Sequence, residues 1–293
     1  NFTDVDGASR SKPMGVLVSQ GQTATSYTPA SLLEFGQTYY WRVDKVNPAP
    51  DNAICKGKVW GFTVEPYSYP IPGASINAID SGSRSGWGPE KTIDGSGMTG
   101  DLHGTDNETM WWSGVNESLS PWIEYQFDKD YKLDKLLVWN SNMPVELIIG
   151  YGAKDVTVEY STDGTTWTTF PDVPRFVMAT GKPNYAAGTT VSFGGLMARY
   201  VALIIDSAWG DLDITGACLS EVRFFHVPLQ ARAPAPANHA TDQSLDILLT
   251  WRPGREAVSH MVYFSTDADA VTNATAPAQT VTDPAFDPGP LDY

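Results

Sequence analysis

Hydrophobic residues fall at every second position in several short runs of this chain, the spacing that gives a β-strand one buried and one open face. In Val156-Thr157-Val158-Glu159-Tyr160-Ser161, Val156, Val158 and Tyr160 share one side, and Thr157, Glu159 and Ser161 share the other. Asp163-Gly164 follows as a hairpin-turn pair, after which Trp167 is expected to re-enter the apolar side. Trp122, Tyr125 and Phe127 mark another short strand, and the run Leu136 to Trp139 reads as buried on both faces. No sustained helical repeat lies between Thr92 and Phe224, so the central region is expected to be all-β.

The two ends of the chain repeat each other. Asn1 to Ser9 aligns with Asp267 to Thr275, Gln22 to Thr25 falls near Gln279 to Thr282, and Tyr27, Pro29 and Leu33 pair with Phe286, Pro288 and Leu291. Each copy keeps what the other lacks. The C-terminal one offers strands at Leu248 to Trp251 and Met261 to Phe264, and the N-terminal one at Leu33 to Val43 and Val59 to Val64. Joined, they resemble a fibronectin type III sandwich with Trp251 in its core. That resemblance places Tyr39, Trp41 and Val43 alternately inward, with Tyr39 at the tyrosine-corner position. A half sandwich leaves an edge and an apolar face in water. Two readings stay open: the chain starts within a module of a longer tandem array, or one copy's half module completes the next copy's, head to tail, and builds a fibre. Pro-rich connectors at 66–73 and 231–237 set the expected modules at 1–66, 73–227 and 228–293.

Composition agrees with turn-rich β modules, since 293 residues include 26 Gly, 21 Pro and 12% aromatics. A formal charge of −15 argues against nucleic acid and anionic lipid as partners. No run approaches the roughly 18 consecutive apolar residues of a membrane span, so no membrane insertion is expected. The chain reads as a soluble, extracellular or cell-surface protein. Cys55 and Cys218 are read as separate thiols rather than a disulfide, and sequons begin at Asn1, Asn107, Asn116 and Asn273.

Seven short motifs run in order through the centre: Thr92-Ile93-Asp94-Gly95, Thr109 to Ser113, Pro121 to Phe127, Leu133 to Trp139, Val156 to Trp167, Arg199 to Leu203 and Leu219 to Phe224. Together they resemble the discoidin, or coagulation-factor type C, domain. That resemblance implies a discoidin-like β-sandwich, a jelly roll flanked by the partial fibronectin-like modules, which binds ligands at loops on one end. The loops are Ser81 to Gly88, Asp101 to Trp112, Asn140 to Pro144 and Ser207 to Asp213, with Arg84, Trp87, His103, Trp112, Asn140, Asn142, Trp209 and Asp211 as candidate ligand-binding residues. The resemblance also implies a structural Ca2+ held by Asp94 and Glu221, the carbonyls of Lys91 and Ser96, Thr109, and a carbonyl near Cys218. An insertion from Gly97 to Glu108, carrying Asp101, His103, Asp106 and Glu108, departs from the family pattern. It moves the site, adds a second calcium, or is a solvated acidic loop.

Among the ten tryptophans, Trp41, Trp60, Trp122, Trp167 and Trp251 lie in strand patterns and are expected in cores. Either Trp111 or Trp112 is expected to pack inward. Trp87 and Trp209, beside glycines, are the expected ligand platforms. Catalysis is not expected: His103, His226, His239 and His260 are scattered, and no nucleophile, metal or phosphate-loop motif occurs. The leading reading is a non-catalytic extracellular adhesion module that binds a glycan or another cell-surface or matrix component. Its rivals are a structural, filament-forming protein and an accessory region of a large secreted hydrolase.

Overall fold

Two long strands organise the central region, because each runs through both layers of a sandwich and changes layer part-way along. In chain order the main strands are β1 (Ile76–Asp80), β2 (Trp122–Asn140), β3 (Val156–Ser161), β4 (Thr189–Ile205) and β5 (Cys218–His226). The structure, a computed structural model, describes residues 1–9, 11–114, 120–211 and 216–291. The sequon at Asn116 therefore lies outside the described residues. Two units divide the chain, Asn1–Tyr67 and Ser68–Tyr293.

Within the larger unit, the first part of β2 pairs antiparallel with β1 and with the last part of β4, so that Ile123 stands opposite Asp80 and Leu203. Its last part pairs with the start of β4 and with β5, and Leu136 stands opposite Val191 and Phe224. The register shifts between Gln126 and Tyr131 and again between Leu133 and Lys135, where β2 passes from one layer to the other. β4 turns the matching corner at Gly194 and Gly195, whose φ values of 63° and 87° suit residues without a Cβ.

Alternation then fills the space between the layers. Ile123, Tyr125 and Phe127 of β2, Val158 of β3, and Val201, Leu203 and Ile205 of β4 meet Leu136, Val138, Val191, Val222 and Phe224 from the opposite layer, all buried. Phe224 sits edge-on to both Tyr125 and Phe127, with ring centroids 5.1 Å apart in each pair. Val156, Val158 and Tyr160 face this core as expected. The all-β expectation holds for the region: between Thr92 and Phe224 the described residues include one short α-helix, Glu146–Ile149.

Tryptophan placement departs from expectation. Trp111 and Trp139 are the buried ones, whereas Trp122 and Trp167 are only half-buried and lie on the outer face of the sheet. The parity of β2 explains the first: if Ile123, Tyr125 and Phe127 point inward, Trp122 must point out. Trp167 likewise shares the face of Glu159 instead of re-entering the core.

In the smaller unit, Thr38–Arg42 pairs with Val59–Thr63. Arg42 reaches from this ribbon to the end of the helix Phe2–Gly7, donating to the carbonyl oxygens of Val5, Asp6 and Ala8 at 2.6, 2.9 and 2.7 Å. Such contacts satisfy carbonyls that a helix end leaves bare. The hydroxyl oxygen of Tyr39 accepts a hydrogen bond from the Glu34 amide at 3.0 Å. Trp41 and Val43 do not turn inward as expected; they are 50% and 61% exposed, and Trp60, directly opposite Trp41, is 47% exposed. Among the described residues of this unit the ribbon is two-stranded, and the large side chains of this face contact solvent. Cys55 is exposed, Cys218 is buried, and both are free thiols.

At the C-terminal end, Arg232–Ala235, Leu249–Arg252 and Ala285–Phe286 form a three-stranded sheet, and His260–Tyr263 pairs with Ala278–Val281. Trp251 is half-buried there, edge-on to His260. The Arg255 amide donates to the Pro228 carbonyl at 2.8 Å, and Lys132 meets Glu256 at 2.6 Å, tying this segment to the sandwich.

One buried acid anchors the loop between β2 and β3. Glu146 is fully buried; its Oε2 accepts from the Ser141 hydroxyl at 2.6 Å and its Oε1 from the Gly152 amide at 2.7 Å. Burial pushes its pKa above the ordinary carboxylate value of 4.5, with both hydrogen bonds pulling the other way. A raised folded pKa contributes stability that is complete below the unfolded value and is lost as pH rises through the folded one. Glu146→Gln keeps an acceptor for Gly152 and a donor for Ser141 while removing the buried charge, so its melting temperature should equal or exceed the parent's at pH 8 and fall less between pH 5 and 8. Phe224→Ala should destabilise the sandwich by about 3–5 kcal/mol in denaturant titration.

Candidate functional site

A four-residue stack forms where the loop Ser81 to Gly88 crosses the short strand Trp111–Trp112. Main-chain bonds lock the crossing: the Arg84 amide donates to the Trp112 carbonyl at 3.0 Å, the Trp112 amide to the Trp87 carbonyl at 3.1 Å, and the Trp87 amide to the Arg84 carbonyl at 3.0 Å. Strand alternation sends Trp111 into the core, where its indole donates to Asp80 at 2.6 Å, and turns Trp112 the other way. The Arg84 guanidinium then lies 3.8 Å from the centre of the Trp112 ring. Trp87 and Tyr151 meet that ring edge-on at 5.9 and 4.9 Å. The Trp87 indole is pinned to the Asn107 carbonyl at 2.7 Å. All four side chains are half-buried, with part of each open to solvent.

Arg84, Trp87 and Trp112 are thus brought together as three of the expected residues. Tyr151 joins them without having been singled out, although it stands between Gly150 and Gly152, the same signal that marks Trp87. Trp209 is half-buried, its indole donating to the Phe176 carbonyl at 3.0 Å and its amide to Gly152 at 3.0 Å. Lys154 sits 5.4 Å from its ring. Asp211 is exposed at the end of the same segment, and the rest of that loop, including Asp213, lies outside the described residues.

Three expected ligand residues are not at the surface. Asn140 and Asn142 are buried: Asn140 donates to the carbonyls of Ala153 and Val177 at 2.7 and 3.0 Å, and Asn142 to those of Gly104 and Lys182 at 2.7 and 2.8 Å. Both amides are thereby taken up by loop carbonyls. His103 is also fully buried, its Nδ1 2.9 Å from the Gly104 carbonyl, and burial lowers its pKa. It is buried because the insertion is a docked hairpin: Met98–Thr99 pairs with Leu102–His103, His103 exchanges main-chain bonds with Tyr185, and Asp101 accepts from the Trp139 indole and from Arg223. The insertion thus docks through its backbone and His103, while Asp101, Asp106 and Glu108 are exposed.

Beneath this hairpin lies a buried carboxylate. Glu221 is 3% exposed, and its Oε2 is buried with no hydrogen-bond partner among the described residues. Burial pushes its pKa up to about 8; the Arg223 guanidinium and the Gly95 amide draw it down, and Asp94 adds repulsion. The Asp94-Gly95-Ser96 turn is fixed by the Ser96 amide donating to Asp94 Oδ1 at 2.7 Å, and Ser96 Oγ donates to the Thr109 carbonyl at 3.3 Å. Asp94, Ser96, Thr109 and Glu221 are thereby linked. Lys91 lies one turn earlier in the short helix Pro89–Thr92, which packs on β5. Cys218 stands opposite Trp112, its side chain packed with Met110 and Met143 and its thiol pKa raised by burial. Among the described residues no three His, Cys, Asp or Glu side chains converge on one point. A hard cation here would draw on carbonyl and hydroxyl oxygens besides the carboxylates.

The F5/8 type C domain model matches residues 75–218. No curated protein matches the chain. Solved structures similar to it include a fragment of a putative chitobiase from Bacteroides thetaiotaomicron, at 22% identity and TM-score 0.40, covering 54% of this chain and 92% of that one. Another is the family 32 CBM of Clostridium perfringens NanJ in complex with galactose, at 14% identity and TM-score 0.38, covering 54% and 99%. A Streptococcus pneumoniae fucose binding module is similar at 12% identity and TM-score 0.36, covering 54% and 96%.

The turn over Glu221 is sensitive to one atom. Gly97 has φ of 76°, and a Cβ there would collide with Thr109 Oγ1 and lie 2.6 Å from His103 Nε2. Gly97→Ala should lower stability by more than about 1 kcal/mol, read as a fall in melting temperature.

Proposed function

We propose that this chain, whose residues 75–218 match the F5/8 type C, or discoidin, domain, is a non-catalytic extracellular module that binds glycans at the Arg84, Trp87, Trp112 and Tyr151 stack. One observation carries the reading: a half-open Trp112 ring with a guanidinium 3.8 Å above it and two aromatic edges around it. Indole faces complement the C–H face of a pyranose, and arginine donors complement its hydroxyls. The stack is preorganised by main-chain hydrogen bonds, so little ordering cost opposes binding. Trp209 and Asp211 extend the same reading to a neighbouring loop.

Ca2+ is proposed as the ion that satisfies Glu221, with Asp94, Ser96 and Thr109 as partners and Lys91 contributing its carbonyl. The buried Oε2, with no hydrogen-bond partner among the described residues, supports this, since a buried polar atom left unsatisfied is costly. A bound cation would hold the Asp94 turn and the hairpin above it.

Self-association is a second reading, favoured by the open face of the Thr38–Arg42 and Val59–Thr63 ribbon, where Trp41 and Trp60 lie 4.8 Å apart and half exposed. Light scattering after size exclusion tests it. Oligomers that dissociate on replacing both tryptophans with serine would support it, and a monomer at tens of micromolar would remove it.

On a glycan array, Trp112→Ala and Trp87→Ala should each weaken the strongest signal about tenfold or more, equivalent to at least ~1.4 kcal/mol. Unchanged signals with both variants folded would refute the site. Millimolar calcium should raise the melting temperature and a chelator reverse it, and Glu221→Gln should abolish that response.

A further inference from the structure

A different arrangement lies on the outer face of the sheet. Trp122, Glu124, Glu159, Trp167, Ala202 and Ile204 line a depression of about 220 Å3. Register accounts for its shape: Glu124 of β2 and Glu159 of β3 both stand directly opposite Ala202 of β4, one on each side, and Trp122 stands opposite Ile204. The small Ala202 side chain forms a floor between two carboxylates. Trp167 comes back over the same face after a turn in which Asp163 accepts from the Thr165 and Thr166 amides at 2.8 and 2.7 Å. Its ring lies 6.2 Å from that of Tyr200.

Neither carboxylate meets a basic side chain among the described residues. Among the described residues Glu124 has no hydrogen bond or ion pair, and Glu159 has one long hydrogen bond, from Thr169 at 3.4 Å. The two carboxylates stand on strands separated by β4, one on each side of Ala202, and burial alone raises the pKa of Glu124. Among the described residues these two acids give the fold no ion pair and a single long hydrogen bond, which is how a ligand site departs from local consistency. Two carboxylates call for a cation, and indoles attract a cation and stack on a flat apolar ring. A lysine side chain would satisfy the charges but, being a thin stem, would leave the indole faces largely uncovered. A ring that carries its own ammonium uses all four groups, and the depression has room for a single such ring.

We propose that this face is a second site, separate from the loop stack, that takes a protonated 2-amino-2-deoxyhexose, a glucosamine-type residue. Its validity does not depend on the loop site. The carboxylates would accept from the ammonium, and Trp122 and Trp167 would cover the ring.

The test is a calorimetric titration of the full chain with the β-1,4-linked glucosamine trimer. The unsubstituted chain should bind it, with the N-acetylglucosamine trimer and a trilysine peptide at least tenfold weaker. The double variant Glu124→Gln/Glu159→Gln should lose at least tenfold in affinity while melting no lower than the parent, because both side chains reach solvent. Trp167→Ala should weaken binding as well, and Trp87→Ala should leave it unchanged. Absence of binding, equal binding of the acetylated trimer or of trilysine, or full affinity in the double glutamine variant would overturn the proposal. Loss of binding in Trp87→Ala would also overturn it, by moving the amino sugar to the loop stack.

Discussion

Strict alternation along strands that serve both layers of the sandwich is the constraint on which the rest depends. Once Ile123, Tyr125 and Phe127 are committed to the core, Trp122 and Glu124 have no choice but the outer face. The same rule sends Trp111 inward and Trp112 outward, which places an indole at the loop end where Arg84 can cover it. Both proposed binding surfaces are therefore by-products of core parity. A one-residue slip in register would exchange each indole with its neighbour and erase both.

The two surfaces are built differently. At the loop stack, main-chain bonds between Arg84, Trp87 and Trp112 fix the side chains, and a guanidinium lies against the central indole. On the sheet face the backbone is rigid already, and the distinguishing chemistry is a pair of carboxylates separated by Ala202. Glu221 belongs to neither. Its buried, unpaired oxygen lies under the turn that leads into the docked hairpin, where a cation would act on stability more than on ligand contact.

Much of the fold was legible because β-sheets write their faces into sequence. Val156 to Ser161 and the Asp163-Gly164 turn are read directly from period two and turn chemistry. Periodicity marks two faces without saying which is covered, and that is why Trp122 and Trp167 were expected inside. Trp41 and Val43 stay exposed for a related reason: inward alternation requires an opposing layer, and among the described residues of their unit none lies over that face. The burial of Asn140, Asn142 and His103 was hidden in distant partners, since the carbonyls that accept from the two asparagines lie 13 or more positions away and His103 pairs with the Tyr185 backbone. Tyr151 was within reach, because it carries the same glycine flanks as Trp87.

Indole N–H signals in a nitrogen–proton correlation spectrum would test the loop stack most directly, since each tryptophan reports its own surroundings. Titration with a panel of neutral monosaccharides should move the signals of Trp87 and Trp112 together, in a saturable manner, while those of Trp41, Trp60 and Trp251 stay fixed. Saturable shifts confined to tryptophans outside the stack, or no shift with any neutral sugar, would contradict the assignment of glycan binding to that end of the sandwich.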